Sequence, residues 1–348
     1  MFLTKSNPMK LLNFNVTILL LISICMLAVS CHKDNEDEET KPSLTGSVIS
    51  DVPSFAFVNQ KITATASGIT YPVSGVNYYW YNSVLIPDTL KGQTIEFTIY
   101  DSLTTYAVLT NAKCDGYYTS AYTKSIVAVK AGYGNSLTGF PIPKDSIKDV
   151  RDGQWYYYKT IGNLDWFTNN LNWCGAGEGY DKADAAGYIF GRLYSWKDAT
   201  GGVTASGLGA GPQGVCPEGW SIPTNEDWED LAKTMNSGKE LSYNDNWNGL
   251  GEKVMIPAKF NGVTLWPYSA NCTPTNEFGW NAISSGYSTN NYESYIGMYN
   301  YGAWWSSSEY GSDKVTYRYI YYNQSDFPMN YTNKTGMGVS VRCVRLKK

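Results

Sequence analysis

The sequence predicts a multi-domain, β-rich chain: an N-terminal all-β sandwich followed by a small, irregular α+β domain. Three observations lead there. Aromatic residues make up 15% of the 348 residues and charged residues only 17%, with 33 glycines, which suits β- and loop-rich extracellular domains better than helical bundles. Short β-type runs separated by turn signals recur through both halves. Only one helix is well marked, within Cys216–Met235 (CPEGWSIPTNEDWEDLAKTM).

Residues 1–31 read as an export signal. Lys5 and Lys10 give a positive start, and Val16–Val29 is an apolar run too short to span a bilayer comfortably. It ends in Leu27-Ala28-Val29-Ser30-Cys31, which resembles a bacterial lipobox with Cys31 as the lipidated residue, although Ala28 stands where Leu is usual. Residues 32–44 open with His-Lys-Asp-Asn-Glu-Asp-Glu-Glu, a solvated acidic tether. It resembles the acidic signal that sends lipoproteins of Bacteroidetes-type bacteria to the outer face of the outer membrane. The expected partner is therefore a membrane, held through a lipid anchor. Loss of residues 1–30 removes two lysines and no acid, taking the formal charge from −4 to −6. That argues against a nucleic-acid partner, which calls for a basic surface.

Residues 45–131 form the first domain. Its expected strands are Ser54–Val58, Lys61–Ala66, Val76–Tyr81, Thr94–Tyr100, Tyr106–Asn111 and Ser125–Val129. Trp80 falls mid-strand, and Tyr106 follows Asp101 and a turn. The pattern resembles an immunoglobulin-like sandwich, with Trp80 in the core and Tyr106 near a tyrosine corner. A spacer lifting the next domain off the membrane is the expected role. Residues 132–148 are rich in Gly, Pro and Ser and read as a linker.

Residues 149–348 form the second domain, with 11 of the 12 Trp. Its expected strands include Trp155–Ile161, Gly262–Trp266, Trp280–Ser284, Ala303–Ser308, Val315–Tyr322 and Val339–Leu346. Thr224 is a good N-cap and Asp227 sits where a capping-box acid reaches back. Acids crowd the first turn, and Trp228, Leu231, Ala232 and Met235 make one apolar face. Gly238 marks the stop, and another helix is expected near 183–196.

Several blocks carry a family resemblance. They are Asp152-Gly153, Tyr158-Lys159-Thr160-Ile161-Gly162-Asn163, Trp166 and Asn169-Asn170-Leu171, then Gly191-Arg192-Leu193-Tyr194-Ser195-Trp196. The central block is Cys216-Pro217-Glu218-Gly219-Trp220-Ser221-Ile222-Pro223-Thr224 with Trp228 and Leu231. The last are Trp304-Trp305-Ser306-Ser307-Ser308-Glu309, Tyr317-Arg318 and Val339-Ser340-Val341-Arg342-Cys343-Val344. In this order they resemble the Fibrobacter succinogenes major paralogous domain. The resemblance implies a C-type lectin-like fold, in the broad group of formylglycine-generating and sulfatase-modifying proteins, and an exported protein, often lipid-anchored. Fold analogy of this kind does not supply an activity.

The chemistry left to the chain is narrow. The one histidine is His32, in the tether, so Ser-His-Asp, Cys-His and His-zinc sites are excluded from the folded domains. No cofactor or metal is expected. Formylglycine-generating relatives use two close cysteines near the C-terminus, and Cys343 stands alone there. The tripeptides of calcium lectins are absent, and Asn244–Asn248 reads as a solvated acidic turn. A Cys216–Cys343 disulfide is expected, closing 127 residues (343 minus 216), with Cys174–Cys272 as a second bridge and Cys114 left over. The Trp304–Glu309 block reads as a core strand with one Trp inward, and Arg318, Arg342 and Arg345 as structural cations.

Residues 286–302 (GYSTNNYESYIGMYNYG) have the composition of binding loops. Tyr287, Tyr292, Tyr295, Tyr299 and Tyr301 are the ligand-binding candidates, as a platform for sugar rings or a protein partner. Asn323–Asn333, with Phe327, Met329 and Tyr331, is a second candidate. The expected function is a non-enzymatic cell-surface lipoprotein that binds glycan or protein. A structural subunit of an outer-membrane complex is the alternative, and a carbohydrate hydrolase using carboxylates such as Glu309 and Asp313 is a third.

Overall fold

The computed structural model describes residues 41–130, 137–242 and 244–348. The expected export signal, Cys31, most of the acidic tether, residue 131 and residues 132–136 of the expected linker lie outside the described residues. Residues 43–348 form one compact unit, in which strand far outweighs helix.

The N-terminal part holds eight strands: β1 (Thr45–Ser50), β2 (Phe55–Phe57), β3 (Lys61–Tyr71), β4 (Asn77–Asn82), β5 (Ile86–Lys91), β6 (Thr94–Thr98), β7 (Thr105–Lys113) and β8 (Ser120–Val129). They make a three-stranded sheet, β1-β3-β6, and a five-stranded sheet, β2-β8-β7-β4-β5. Alternation along β3, β6 and β7 turns Ile62, Ala64, Ile95, Phe97, Tyr106 and Val108 into one shared core. Trp80 is fully buried there, and its indole N–H donates to the Gly92 carbonyl at 2.8 Å. The Tyr106 hydroxyl donates back to the Tyr100 carbonyl at 2.7 Å and accepts from the Leu103 amide. The sequence pattern misses β1 and β5. Both are edge strands, and β5 carries Pro87, which cannot donate to a ladder and is tolerated only at an edge.

The C-terminal part follows as β9 (Leu137–Thr138), β10 (Asp145–Lys148), β11 (Trp155–Ile161), β12 (Leu164–Phe167), α1 (Asp184–Phe190), β13 (Tyr194–Ser195), α2 (Trp196–Thr200), α3 (Asn225–Met235) and α4 (Leu250–Val254). Then come β14 (Lys259–Phe260), β15 (Val263–Thr264), β16 (Ser285–Thr289), β17 (Ser294–Met298), β18 (Tyr301–Tyr310), β19 (Lys314–Tyr321), β20 (Met329–Asn333), β21 (Gly338–Val339) and β22 (Val344–Leu346). The expected linker is therefore not bare chain: β9 pairs with β14, and β10 pairs with β11.

The main sheet runs β13-β21-β16-β18-β19-β20, with β17 hairpinned on β16. Its strand β18 is covered on both faces. Trp304 enters a core with Trp166, Trp228, Trp280 and Phe327, while Trp305 enters another with Phe167, Trp220 and the disulfide. Both tryptophans are thus buried, correcting the expectation of one Trp inward: a period-two strand hides consecutive residues when layers lie on both sides. The expected strand Trp280–Ser284 is not one. Asn281 takes a positive φ of 59°, and Arg342 collects the Trp280 and Asn281 carbonyls at 2.6 Å each in place of a ladder partner.

Helix α3 begins as its sequence dictates. The Thr224 hydroxyl accepts from the Asp227 amide and the Asp227 carboxylate accepts from the Thr224 amide, a complete capping box. Its face of Trp228, Leu231, Ala232 and Met235 is buried, with Trp228 4.8 Å from Trp166 and 5.7 Å from Trp280 between ring centroids.

The two parts meet in an aromatic seam. Phe55 lies 6.2 Å from Phe190 and 6.5 Å from Phe260, and Phe57 lies 5.7 Å from Tyr188. Asp181 bonds Ser54 and pairs with Lys124 at 3.2 Å, and the Asn261 amide donates to the Ala128 carbonyl at 2.8 Å.

Candidate functional site

The tyrosine-rich stretch is a β-hairpin, β16–β17, rather than an open loop. At its tip Asn290, Asn291 and Tyr292 all take positive φ, at 50°, 54° and 68°. Such a run is costly for residues other than glycine and must be held by its surroundings. The Tyr292 hydroxyl does so, accepting from the Ser195 amide at 2.6 Å at the head of α2. Tyr295 packs on Tyr180 at 5.3 Å, and Tyr299 lies edge-on to Phe190 at 5.7 Å, where burial pushes its hydroxyl pKa up to about 12. Tyr292, Tyr295 and Tyr299 therefore do not join one exposed platform. Tyr287 and Tyr301 do come together, at 5.2 Å, and the row continues through Tyr319, stacked on Tyr301 at 5.4 Å, to the more exposed Tyr321. In the second candidate stretch Phe327 is core, while Tyr331 stacks on exposed Tyr310 at 4.3 Å.

A concave site lies elsewhere. A cavity of about 340 Å³ is lined by Leu137, Phe140, Trp155, Tyr156, Tyr157, Tyr188, Ile189 and Ile283, with Gln154, Asn169, Asn170 and Asn172 supplying amides. That volume is at the small end of ligand pockets, and an apolar wall with few fixed polar groups is their usual make-up. Trp155 is 56% exposed, whereas ten of the other eleven tryptophans are buried.

The amides are held in place by local structure. Gln154 Nε2 donates to Asp152 Oδ2 at 2.9 Å and to the Asn172 carbonyl at 3.0 Å. This fixes Gln154 Oε1 as the acceptor from Asn172 Nδ2 at 3.0 Å. Asn169 Oδ1 accepts from the Tyr157 amide at 3.1 Å, which makes NH₂ the donor end of this lining side chain. Asn170 forms the back wall and is fully engaged. It donates to the Phe190 carbonyl and Ser340, and accepts from Trp304 Nε1 at 2.9 Å and Arg342 Nε at 2.6 Å. Tyr156 is buried, its hydroxyl accepts from the Asn172 amide, and burial holds its pKa well above the ordinary value. None of these wall residues was singled out as a binding candidate from sequence. The available signal was the Trp155-Tyr156-Tyr157-Tyr158 run, whose alternation turns rings to both faces of β11.

Cys216 and Cys343 are bonded, with Cα atoms 5.8 Å apart, tying the approach to α3 to the last core block. Cys174 and Cys272 do not form the expected second bridge: Cys174 is exposed, whereas Cys272 is buried with its sulfur 3.5 Å from that of Met255. Cys114 is also a free thiol. Arg318 stands 3.2 Å over the Trp247 ring and donates to the Asp245 and Phe327 carbonyls, while Arg345 pairs with Asp165 at 3.0 Å. The Asn244–Asn248 turn closes on itself, Asp245 accepting from the Ser242 amide and Trp247 being buried. Glu309 pairs with Lys334 in a polar pocket that Glu226 also lines, and Asp313 lies on the exposed turn after β18.

Among the described residues no group of His, Cys, Asp and Glu is arranged to hold a metal ion. No helix among them is long and apolar enough to cross a membrane. No curated protein matches the chain. Residues 159–345, more than half of the sequence, match the Fibrobacter succinogenes major domain, and the protein belongs to that family.

Proposed function

We propose that this protein is a lipid-anchored, non-enzymatic binding protein on the cell surface, and that its C-terminal domain recognises glycan in the aromatic–amide cavity. The observation that carries the reading is Trp155, a large apolar ring left in solvent at the wall of a concave site whose other rings and amides are already positioned. Aromatic faces stack on the apolar faces of sugar rings, and fixed amides answer hydroxyls. The lipobox-like end at Cys31 and the acidic tether support the anchored, surface-exposed placement. Trp80 and Tyr106 support the immunoglobulin-like reading of the first domain, and the family supports the C-type lectin-like reading of the second.

The test is a glycan array followed by calorimetry on the mature chain. Trp155→Ala is expected to weaken binding at least about tenfold, a hot-spot-sized loss, with an unchanged melting temperature because the ring is exposed. Unchanged affinity would remove the cavity from consideration. If Tyr321→Ala abolished binding instead, the site would be the tyrosine row of β16, β18 and β19. For the anchor, Cys31→Ala is expected to move the protein from the membrane to the soluble fraction; retention in the membrane would sink that part.

A further inference from the structure

We infer that the cavity selects electrically neutral sugars and rejects anionic ones such as uronates, sialates and sulfated glycans. This rests on the reading of the cavity as a glycan site and goes on to the class of glycan. The lining contains aliphatic, aromatic, glycine and amide residues, and among the described residues no Asp, Glu, Lys, Arg or His. A carboxylate or sulfate entering such a cavity gives up its hydration and meets no cation to replace it, a large cost for a charged group.

The charges behind the wall are already committed. Asp152 accepts from Gln154 through one carboxylate oxygen at 2.9 Å and takes the Gln154 amide on the other at 3.0 Å. Arg151 is locked on Asp149 through paired contacts of 2.6–3.1 Å, donates to the Val215 carbonyl and lies 4.2 Å over the Trp173 ring. Its charge is spent on a buried carboxylate, which it holds below the usual carboxylate range against the opposing effect of burial. Behind the back wall the Arg342 guanidinium is engaged by the Asn170 side-chain oxygen and by the Phe167, Trp280 and Asn281 carbonyls, and the Lys148 stem runs past Gly153, its Cε 3.6 Å from where a Cβ there would stand.

The polar groups that remain suit a neutral ligand. Asn169 lines the cavity with NH₂ as its donor end, which fits a hydroxyl or acetamido oxygen, and Trp155 lines it with an uncharged ring.

The experiment uses the mature chain on an array of neutral and acidic glycans, with calorimetry on the hits between about 0.05 and 0.5 M NaCl, a range over which exposed ionic interactions are largely screened. The expected result is neutral hits only, Trp155-dependent, with affinity changing less than about twofold over that range. Acidic glycans that bind in a Trp155-dependent way, weaken steeply with salt and lose affinity in Lys148→Ala would overturn the neutral selection while leaving the cavity as the site. Binding of no glycan, or binding indifferent to Trp155→Ala, would overturn the site itself and this inference with it. Circular dichroism and melting of each variant separate lost binding from lost folding.

Discussion

Asn170 shows how much one side chain holds here. Its amide joins the end of α1, the strand residue Trp304, the last core block at Ser340 and the buried Arg342 guanidinium. Every donor and acceptor it owns is used, at a site of 4% exposure. Asn170→Ala strands the indole N–H of Trp304 and one N–H of Arg342 in the core. Each lost partner of a buried polar group costs about 1–3 kcal/mol, more next to a charge. The expected loss is therefore at least about 2 kcal/mol, read as a shifted denaturant midpoint with unchanged slope. A loss below about 0.5 kcal/mol would mean that water replaces the amide. The sequence marks Asn170 within a recognisable block, but its four partners lie 20 to 172 positions away, and no local pattern names them.

At the scale of the element, helix α3 was almost wholly legible. Its cap, its acids and its apolar stripe are all local signals, and each appears where spacing puts it. What the spacing did not disclose is the depth of Asp227. Burial pushes this carboxyl up to about 6, overcoming the amides of Gly209 and Thr224 that favour the charged form. A carboxyl raised on folding stabilises the fold most fully below its unfolded pKa, and that contribution fades as pH climbs through about 6. Wild type is therefore expected to lose its advantage over Asp227→Asn by roughly 1 kcal/mol per pH unit between about pH 4 and 6. A constant gap across that range would contradict the raised carboxyl. The hairpin β16–β17 was the opposite case. Its Tyr, Ser, Asn and Gly composition looks like an open binding loop. Pairing with β18 and β21, and the Tyr292 bond to Ser195, turn that composition inward. Composition reports what a segment is able to contact, not which neighbour is there.

Across the whole molecule, the seam between the two parts decides how they behave together. Phe55 and Val129 of the first part belong to the same buried cluster as Phe190, Phe260 and Trp228 of the second. Docked aromatics, the Asp181 contacts and the pairing of β9 with β14 pack the first part against the second. Calorimetry of residues 43–348 is expected to show one unfolding transition. Phe55→Ala should lower stability by about 3–5 kcal/mol and split the transition in two. Two transitions in the wild type would show that the seam contributes little. The disulfide acts on the same scale, closing a loop of 127 residues and so restricting the unfolded chain by several kcal/mol in the entropic account.

By itself the sequence determined what depends on neighbours a few residues apart. That covers the β-rich character, the capped helix, the absence of histidine from the described residues and the family blocks. The tertiary structure alone decided which of two faces each aromatic takes. It buried both Trp304 and Trp305, folded three of the candidate tyrosines into the body, left Trp155 in solvent and gathered Gln154, Asn169 and Asn172 around one cavity. The physical reason is that a strand's alternation fixes which residues share a face, while only the layers packed above and below fix whether that face meets core, cavity or water.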